Sequence, residues 1–286
     1  MKRVCVILGR ALMKNDDIAI LVMTIQRAGA NKTTRYLDRN NFDDYYVMIP
    51  SGLEPEIAES YGEHAVVYDV DKMKAKVDFM GTGIENGCAV GRMACNDWIR
   101  NRPDYKMAVV LDDDYGGVVS DYTMTPTLNN KTFYDVVKSV YKLGKDLGIT
   151  TGGYSGGAMP RTKKNVMNVF LIDKDIEDRG LDKILDEDIC YSIYQWHRGK
   201  AIFGLANVIR SGAQTAEMDK IDGNTKLIYA TDRSYRKSFG AILADPKNAK
   251  LTWNSGNTKR GALWHHRVSW SAIAPKIILE EERDGK

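Results

Sequence analysis

The sequence predicts a single α/β domain with a mainly parallel central sheet and helices on both faces. Short runs of β-branched and other apolar residues alternate with segments of helical periodicity, the order expected for βα units. The apolar runs are continuous rather than alternating, as in strands that are buried on both faces. The chain has 286 residues, of which 43% are hydrophobic and 28% charged, so it can bury a substantial core, as globular proteins of this size do.

The first half of the chain supplies four predicted strands. They cover residues 17–24, 45–50, 65–70 and 107–111. Between them, a loop runs into a short helix within residues 25–37, a second short helix covers residues 54–61, and a glycine-rich loop covers residues 81–87. A further helix ends near Arg102–Pro103 and carries apolar residues at helical spacing, namely Val90, Met93, Ala94, Trp98 and Ile99.

The second half begins with a strongly periodic helix, whose apolar face runs from Phe133 to Leu147. Asn130 is its predicted N-cap, and Gly148 ends it. Four of the six residues 152–157 are glycine, which predicts a flexible loop beside a site. Residues 166–172 are rich in β-branched residues and predict another strand.

Composition narrows the class of protein. No apolar run approaches the roughly 18 residues that a membrane-spanning helix needs, and the apolar patch after Arg3 is too short for a signal-peptide core. The cysteines form no CxxC pair, which argues against a zinc ribbon, and three of the four lie in surroundings typical of buried thiols. We therefore expect no membrane partner and a reducing, cytoplasmic compartment.

Three consecutive carboxylates, Asp112, Asp113 and Asp114, follow the fourth predicted strand. Open α/β sheets place their ligands at the C-terminal ends of their strands. Adjacent negative charges repel one another, and a hard divalent cation with oxygen ligands relieves that repulsion. The triplet therefore indicates either a metal site that holds a phosphorylated ligand or a solvated Asp-rich turn.

A second acidic cluster, Asp186-Glu187-Asp188, opens a predicted amphipathic helix. Carboxylates at this position complement the helix dipole, although capping needs only one or two of them. Later in the chain, His265 and His266 stand side by side. Imidazole and carboxylate together make a suitable ligand set for Mn²⁺, but either histidine could instead be structural.

Residues 224–270 are markedly basic, with nine Lys or Arg residues against two acids. Aromatic residues are interleaved with these charges: Tyr229, Tyr235, Phe239, Trp253, Trp264 and Trp270. Cations that meet phosphates and rings that stack on bases are typical of a nucleic-acid groove. A solvated basic face over an ordinary aromatic core produces the same pattern, so both interpretations stay open.

In their order along the chain, these motifs resemble the GT-A class of nucleotide-sugar-dependent glycosyltransferases. The motifs are Thr24-Ile-Gln-Arg27, Arg92-Met-Ala-Cys-Asn96, Asp112-Asp-Asp114 (similar to the DxD motif), Asp186-Glu-Asp188 (similar to the xED motif) and a late histidine. The likeness covers roughly residues 18–266. Within the class, the chain most resembles the TET/JBP-associated glycosyltransferases, which are found with phage and other systems that modify bases in DNA. Met23 stands where that group usually has proline.

The resemblance implies a GT-A-like domain in which residues 14–125 bind the nucleotide sugar and residues 126–286 bind the acceptor. It implies a UDP-sugar donor and a divalent cation, Mn²⁺ or Mg²⁺, held by Asp114 and Asp112 with His265 or His266. The donor-binding residues that it implies are Thr24, Arg27, Arg92, Asn96, Asp112 and Asp113. The expected acceptor-binding residues are Arg161, Arg233, Arg236, Lys237, Lys259 and Arg260.

A carboxylate that takes the proton of the acceptor hydroxyl would raise the rate of sugar transfer, and Asp188 is the first choice for this general base and Glu187 the second. A base of this kind implies inversion at the sugar carbon, and the loop at residues 152–157 could close over the donor and exclude water. The implied acceptor is the 5-hydroxymethyl group of a pyrimidine in DNA, which would place a phage-encoded enzyme in the host cytoplasm. Three alternatives stay open: a glycosyltransferase with a glycan or small-molecule acceptor, a metal-dependent nuclease or phosphohydrolase, and a non-catalytic DNA-binding protein.

Overall fold

The structure is a computed structural model of the protein. It describes residues 14–24, 31–53, 55–81, 87–119, 128–146, 151–153, 170–200, 202–204, 210–211, 234–255 and 262–273. Several predicted positions lie outside these residues: Arg27, Arg161, Arg233, Lys259, Arg260, Gly148 and most of the loop predicted at 152–157.

The secondary structure follows the predicted alternation of strands and helices. The strands are β1 (Ile18–Met23), β2 (Tyr45–Pro50), β3 (Ala65–Tyr68), β4 (Met107–Asp112), β5 (Val118–Val119), β6 (Thr151–Gly153), β7 (Phe170–Asp173), β8 (Ile202–Gly204), β9 (Arg210–Ser211), β10 (Ala249–Asn254) and β11 (Leu263–Val268). The helices are α1 (Lys32–Arg39), α2 (Pro55–Glu59), α3 (Val70–Lys74), α4 (Cys88–Arg100), α5 (Asn130–Asp146), α6 (Glu187–His197), α7 (Tyr235–Ala244) and α8 (Trp270–Ile273). Short 3-10 helices, Asn15–Asp17 and Gly62–His64, precede β1 and β3.

The central sheet has seven strands in the order β3-β2-β1-β4-β7-β6-β8. Strands β3, β2, β1 and β4 are parallel neighbours, and β8 is parallel to β6. Strand β7 runs antiparallel to both β4 and β6, so it alone of these seven strands opposes the common direction. Strands β10 and β11 form a separate antiparallel pair, and β5 pairs with β9. The predicted α/β class with a mainly parallel sheet is confirmed.

Strands β1, β2 and β4 are buried on both faces, which explains their continuous apolar runs. In β1, Leu21 faces one core and Ile20 faces the other, because successive side chains of a strand point to opposite faces. Val110 of β4 lies in the same core as Leu21. Asp112 follows two residues later, so its side chain points to that same side of the sheet.

Helices cover both of these faces, as predicted. Helices α3, α4 and α6 lie on the side of Leu21 and contribute Met73, Met93 and Ile193 to its core. Helices α1, α2 and α5 lie on the opposite side and contribute Leu37, Ile57 and Phe133 to the second core. The side chain of Asp112 therefore approaches α4 and α6.

A C-terminal layer, which comprises α7 and the β10–β11 pair (residues 234–255 and 262–268), packs against α6. Ala241 of α7 lies in the same core as Ile189 of α6. The contact is close at Gly240, where an added Cβ would lie 2.9 Å from the backbone oxygen of Leu185. Glycine thus lets α7 approach the turn that precedes α6.

Two local predictions in the second half were wrong. Gly152 and Gly153 belong to β6 rather than to a loop, because pairing with β7 and β8 outweighs the weak strand preference of glycine. The cap of α5 is Asn129 rather than Asn130. The Asn129 side chain accepts a hydrogen bond from the Thr132 N–H at 3.0 Å, which satisfies one of the free amides at the start of the helix.

The strand predicted at residues 65–70 is shorter than expected. It ends at Tyr68, and Val70 already belongs to α3. The reason is a cap: Asp69 accepts a hydrogen bond from the Lys72 N–H at 3.0 Å and so starts a helix.

The described cysteines are Cys88, Cys95 and Cys190. The last two are buried thiols, whereas Cys88 is exposed in the first turn of α4. None of the helices in the described part of the chain combines the length and the apolar character needed to cross a membrane.

Candidate active site

The Asp112–Asp114 triplet divides between the two sides of the sheet. Asp112 is the last residue of β4 and pairs in register with Met23 of β1. Asp113 points the other way and accepts a hydrogen bond from the Thr24 hydroxyl at 2.8 Å. Asp114 is exposed. The structure therefore joins the TxxR segment to the acidic triplet directly, through Thr24 and Asp113.

The turn that follows β4 is held by the start of α1. The Thr33 hydroxyl accepts a hydrogen bond from the Tyr115 N–H at 3.0 Å and donates one to the Asp112 backbone oxygen at 2.5 Å. The Tyr115 hydroxyl in turn donates to the Asp112 carboxylate at 2.9 Å. These contacts hold the Asp112 side chain in one position at the end of the strand.

Arg92 of α4 lies between the two acidic clusters. Its guanidinium is buried and lies over the Phe170 ring at 4.1 Å. The Nε atom donates to Glu187 Oε1 at 3.2 Å, and the Nη2 atom is 3.8 Å from Asp112 Oδ1. One arginine thus brings together the end of β4 and the start of α6.

Arg92 has one donor that these carboxylates do not use. The buried Nη1 atom has no hydrogen-bond partner among the described residues. A buried donor without a partner is costly, so it indicates a place where a ligand oxygen could bind.

Negative charge is in excess around Asp112. Burial raises the pKa of the Asp112 carboxyl to about 6, and Asp114 and Glu187 add to that increase, while Arg92 and the Tyr115 hydroxyl oppose it. A third of the Asp112 side chain remains accessible, since its relative exposure is 33%. Accessible carboxylates in surplus are a suitable site for a divalent cation.

The residues present fit a cation that is shared with a ligand. Among the described residues, no three side chains of the His, Cys, Asp and Glu types converge to hold a metal alone. Mg²⁺ in particular is usually bound by one or two carboxylates together with substrate phosphates. Asp112 and Asp114 can supply those carboxylates at this end of the sheet.

Asp186 is a buried anion at the N-terminus of α6. Its backbone has a left-handed φ of 51°, a strained conformation for a residue other than glycine. Its carboxylate oxygens lie 3.2 Å from Lys237 Nζ and 2.8 Å from His266 Nδ1. Burial alone would raise the pKa of Asp186, but Lys237 and His266 hold it below its ordinary value.

The pKa of Asp188 is raised, whereas that of Asp186 is lowered. Burial raises the pKa of its carboxyl to about 7, and the charges of Glu187 and Asp186 add to the increase against the weaker effects of Lys237 and Arg92. The backbone oxygen of Asp188 accepts a hydrogen bond from the Ser192 hydroxyl at 2.7 Å. A carboxyl with a pKa near neutrality can both accept and release a proton at physiological pH.

The two histidines of the late motif have different environments. His266 lies against Asp186, whereas His265 is exposed and its Nδ1 atom is 2.7 Å from the His266 backbone oxygen. The structure thus places His266 in the α6 carboxylate cluster, and the metal-binding role of either histidine stays a prediction.

Two other predicted residues have structural partners. Asn96 donates to Asp178 Oδ1 at 3.0 Å, and Arg100 binds the other oxygen of Asp178 at 2.7 Å, so the Asn96 side chain is engaged in the loop after β7. Lys237 contacts Asp186, while Arg236 is exposed on α7. The donor role of Asn96 and the acceptor roles of Lys237 and Arg236 stay predictions.

Three residues of the site, namely Tyr115, Thr33 and Phe170, were not predicted from the sequence. Tyr115 directly follows the acidic triplet, so its position was available as a signal. Thr33 and Phe170 carried no such signal, because a threonine in a helix and a phenylalanine in a strand fit many structural roles.

Comparisons with known proteins yield no family assignment. No protein-family model matches the sequence, and no curated protein matches it at a significant score.

Among solved structures, the chain is similar to glucosyl-3-phosphoglycerate synthase from Mycobacterium tuberculosis. A structure of that enzyme with Mg²⁺ and UDP has 9% identity and a TM-score of 0.44, covering 89% of this chain and 87% of that chain. Another, with Mn²⁺, UDP-glucose and phosphoglyceric acid, has 11% identity and a TM-score of 0.45, covering 91% of each. Likeness at this level carries no argument about activity.

Proposed function

We propose that the protein is a metal-dependent glycosyltransferase of the GT-A type, which moves a sugar from a UDP-sugar to a hydroxyl acceptor. The observation that carries the proposal is the position of Arg92. It contacts Glu187 and lies close to Asp112, and thereby brings an accessible carboxylate site to the start of α6, where Glu187 is followed by Asp188, a carboxyl with a pKa of about 7. A donor diphosphate and an acceptor hydroxyl could then meet at one edge of the sheet.

On the donor side, Asp112 and Asp114 would hold Mn²⁺ or Mg²⁺ together with the diphosphate. When bound, such a cation stabilises the negative charge that develops on the leaving diphosphate. The unused Nη1 donor of Arg92 would bind a phosphate oxygen or a sugar hydroxyl. Thr24, joined to Asp113, would position the nucleoside at the end of β1.

On the acceptor side, Asp188 would act as the general base. The acceptor oxygen attacks the anomeric carbon, the bond from that carbon to the phosphate oxygen breaks, and the hydroxyl proton passes to the Asp188 carboxylate. The nucleoside diphosphate leaves with the bonding electrons. Attack opposite to the leaving group inverts the configuration at the sugar carbon.

The acceptor that we propose is the 5-hydroxymethyl group of a pyrimidine in DNA. It is supported by the resemblance of the ordered motifs to the TET/JBP-associated group and by the basic, aromatic composition of residues 224–270. A glycan or small-molecule acceptor is the alternative within the same reaction class.

Thermal unfolding with and without nucleotides tests the donor side. UDP or a UDP-sugar with Mn²⁺ is expected to raise the melting temperature, because a ligand at about 100 times its Kd stabilises the folded state by about 2.7 kcal/mol. Asp114→Asn should remove the Mn²⁺-dependent part of the shift. The matched change Asp135→Asn, on the exposed face of α5, should leave it intact. No shift with UDP, GDP or ADP nucleotides would contradict the proposal.

Product analysis tests the reaction and separates it from the nuclease alternative. Labelled DNA that contains 5-hydroxymethylpyrimidines should gain the mass of one sugar per modified base when UDP-sugars and Mn²⁺ are present. The same DNA with Mn²⁺ alone should stay intact, whereas a nuclease would break the strand. Strand breaks without a nucleotide sugar would favour the nuclease.

A further inference from the structure

A buried carboxylate joins the C-terminal layer to the start of α6. Asp186 immediately precedes α6, and only 1% of its side chain is exposed. One carboxylate oxygen lies 3.2 Å from Lys237 Nζ of α7, and the other lies 2.8 Å from His266 Nδ1 of β11. Both partners of Asp186 therefore belong to the C-terminal layer, although they are far from it in the sequence.

The Asp186 side chain is not used to cap the helix that it precedes. An aspartate at this position ordinarily has an extended backbone and accepts a hydrogen bond from an amide of the first helical turn. Asp186 instead has a left-handed φ of 51°, and its side chain makes no capping hydrogen bond to the described residues of α6. A conformation of this kind persists only where the surrounding contacts impose it. The contacts with Lys237 and His266 supply that constraint.

The packing of α7 leaves little room for Asp186 to move. A Cβ added at Gly240 would lie 2.9 Å from the Leu185 backbone oxygen and 3.7 Å from Asp186 Cβ. On the same helix, the Ser238 hydroxyl donates a hydrogen bond to the Trp264 backbone oxygen at 3.2 Å, which joins α7 to β11. The two partners of Asp186 thus project from one packed unit, so they hold the carboxylate from a common support.

Asp188 lies in the first turn of α6, two residues after Asp186. The backbone conformation at Asp186 therefore sets the direction of this turn. Burial raises the pKa of the Asp188 carboxyl, the charges of Glu187 and Asp186 raise it further, and the charges of Lys237 and Arg92 lower it. Lys237 thus acts on both carboxylates, since it binds Asp186 and favours the ionised form of Asp188.

We infer that Lys237 and His266 are positioning residues for sugar transfer, which hold Asp186 in its left-handed conformation and thereby orient the Asp188 carboxyl toward the acceptor. The inference deepens the proposed function and rests on it, since the direction of Asp188 affects transfer only if Asp188 is the base. It differs from the roles predicted from the sequence, in which Lys237 contacts the acceptor and His266 the metal. Within the described ranges, His266 belongs to no group of three metal-binding side chains.

A contact at the other end of α6 provides a matched control. His197 is the last residue of α6, and its Nε2 atom lies 2.9 Å from an oxygen of Asp245, the residue that follows α7. Loss of this contact loosens the same two helices from each other without removing a partner of Asp186. His197→Gln should therefore affect the end of α6 and leave its first turn in place.

Hydrogen exchange measured by mass spectrometry tests the contact without requiring activity. In Lys237→Met and in His266→Gln, the amides at the start of α6 should exchange about tenfold faster than in wild type, the ratio expected for the loss of one charge-assisted contact. Lys237→Arg should keep the slow exchange, because it retains the positive charge. His197→Gln should accelerate exchange at the end of α6 alone. Equal exchange at the start of α6 in wild type, Lys237→Met and His266→Gln would overturn the inference.

Steady-state transfer from UDP-glucose to DNA that contains 5-hydroxymethylcytosine tests the positioning role. Lys237→Met should lower kcat about 100-fold, the typical effect of a displacement of about 1 Å. The KM for UDP-glucose and the thermal shift with UDP and Mn²⁺ should not change. The rising limb of the pH profile should move to higher pH, because this variant lacks a cation that lowers the pKa of Asp188. Lys237→Arg should restore most of kcat, and His197→Gln should leave the pH profile unchanged.

Three kinetic results would contradict the positioning role. A higher KM for DNA with an unchanged kcat in Lys237→Met would make Lys237 an acceptor contact. Loss of the Mn²⁺-dependent thermal shift in His266→Gln would make His266 a metal ligand. An unchanged kcat in both variants, despite faster exchange, would show that the contact with Asp186 supports the fold alone. If wild type transfers no sugar while exchange still depends on Lys237, the proposed function fails together with the positioning role, and only the structural contact stands.

Discussion

Arg92 Nε lies 3.2 Å from Glu187 Oε1, and this contact connects two acidic motifs that are far apart in the sequence. The arginine is buried on α4, and its Nη2 atom is also 3.8 Å from Asp112. One buried cation therefore lies between the β4 carboxylates and the α6 carboxylates.

Arg92→Met should destabilise the fold by about 3–5 kcal/mol, because it leaves Asp112 and Glu187 without their shared buried counter-charge. Urea unfolding followed by circular dichroism measures the change. Lys72→Met is the matched control, since Lys72 pairs with Asp97 while 59% of its side chain is exposed. Such a surface pair contributes about 0–1 kcal/mol. Equal losses from the two variants would show that Arg92 does not link the clusters.

Tyr115→Phe should weaken Mn²⁺ binding and turnover about 10–100-fold, because the Tyr115 hydroxyl orients the Asp112 carboxylate. Titration of Mn²⁺ in the presence of UDP measures the binding. Tyr45→Phe removes a comparable hydroxyl, which donates to Asp38 at 2.7 Å, and should leave the metal affinity unchanged. If both variants bind Mn²⁺ as wild type does, Asp112 is not a ligand.

Asp188→Asn should lower the rate of transfer about 10²–10⁴-fold, because an amide cannot accept the acceptor proton. In the wild type, the carboxyl with a pKa of about 7 must lose its proton to act, so the rate should rise as the pH increases through that value. A pH profile of kcat/KM checks both expectations. A profile that keeps the same rising limb in Asp188→Asn would assign the base to another group.

The same residue should also affect stability. The pKa of the Asp188 carboxyl is about 4 in the unfolded chain and about 7 in the folded protein. Loss of its proton therefore disfavours the folded state, and the free energy of unfolding falls as the pH increases from about 4 to about 7. The asparagine side chain of Asp188→Asn cannot ionise, so this variant should be more stable than wild type above pH 7. The difference in the free energy of unfolding should vanish near pH 4. Urea unfolding across this range measures the difference. A gap that does not depend on pH would mean that burial of Asp188 does not raise its pKa.

Gly240→Ala should separate α7 from the start of α6. The added Cβ would lie 2.9 Å from the Leu185 backbone oxygen, an overpacking that typically costs 1–3 kcal/mol. Alanine has a helix propensity about 1 kcal/mol more favourable than glycine, so the net loss of stability should be modest. Turnover should fall, because the displacement of α7 would shift Asp186 and Asp188. Gly116→Ala, where an added Cβ meets nothing within 4 Å, is the stability control. Unchanged turnover in Gly240→Ala would show that the contact does not position the α6 carboxylates.

The sequence alone determined the α/β class and most strand positions, because a strand buried on both faces must be a continuous apolar run. Residues 45–50 were predicted as a strand and form β2 with the same bounds. Two predictions that relied on local propensity were wrong. Gly152 was predicted in a loop but pairs in β6, and the cap of α5 lies one residue earlier than Asn130.

The sequence also singled out the two acidic clusters, since one follows a buried strand at the edge of the predicted sheet and the other has more carboxylates than a helix cap requires. Only the tertiary structure decided how they act together. Side-chain direction assigned Asp113 to Thr24 and Asp112 to Arg92. Packing of the C-terminal layer assigned Lys237 and His266 to Asp186. These pairings join residues that are distant along the chain, and the distance between two side chains becomes defined only when the sheet and its helices pack.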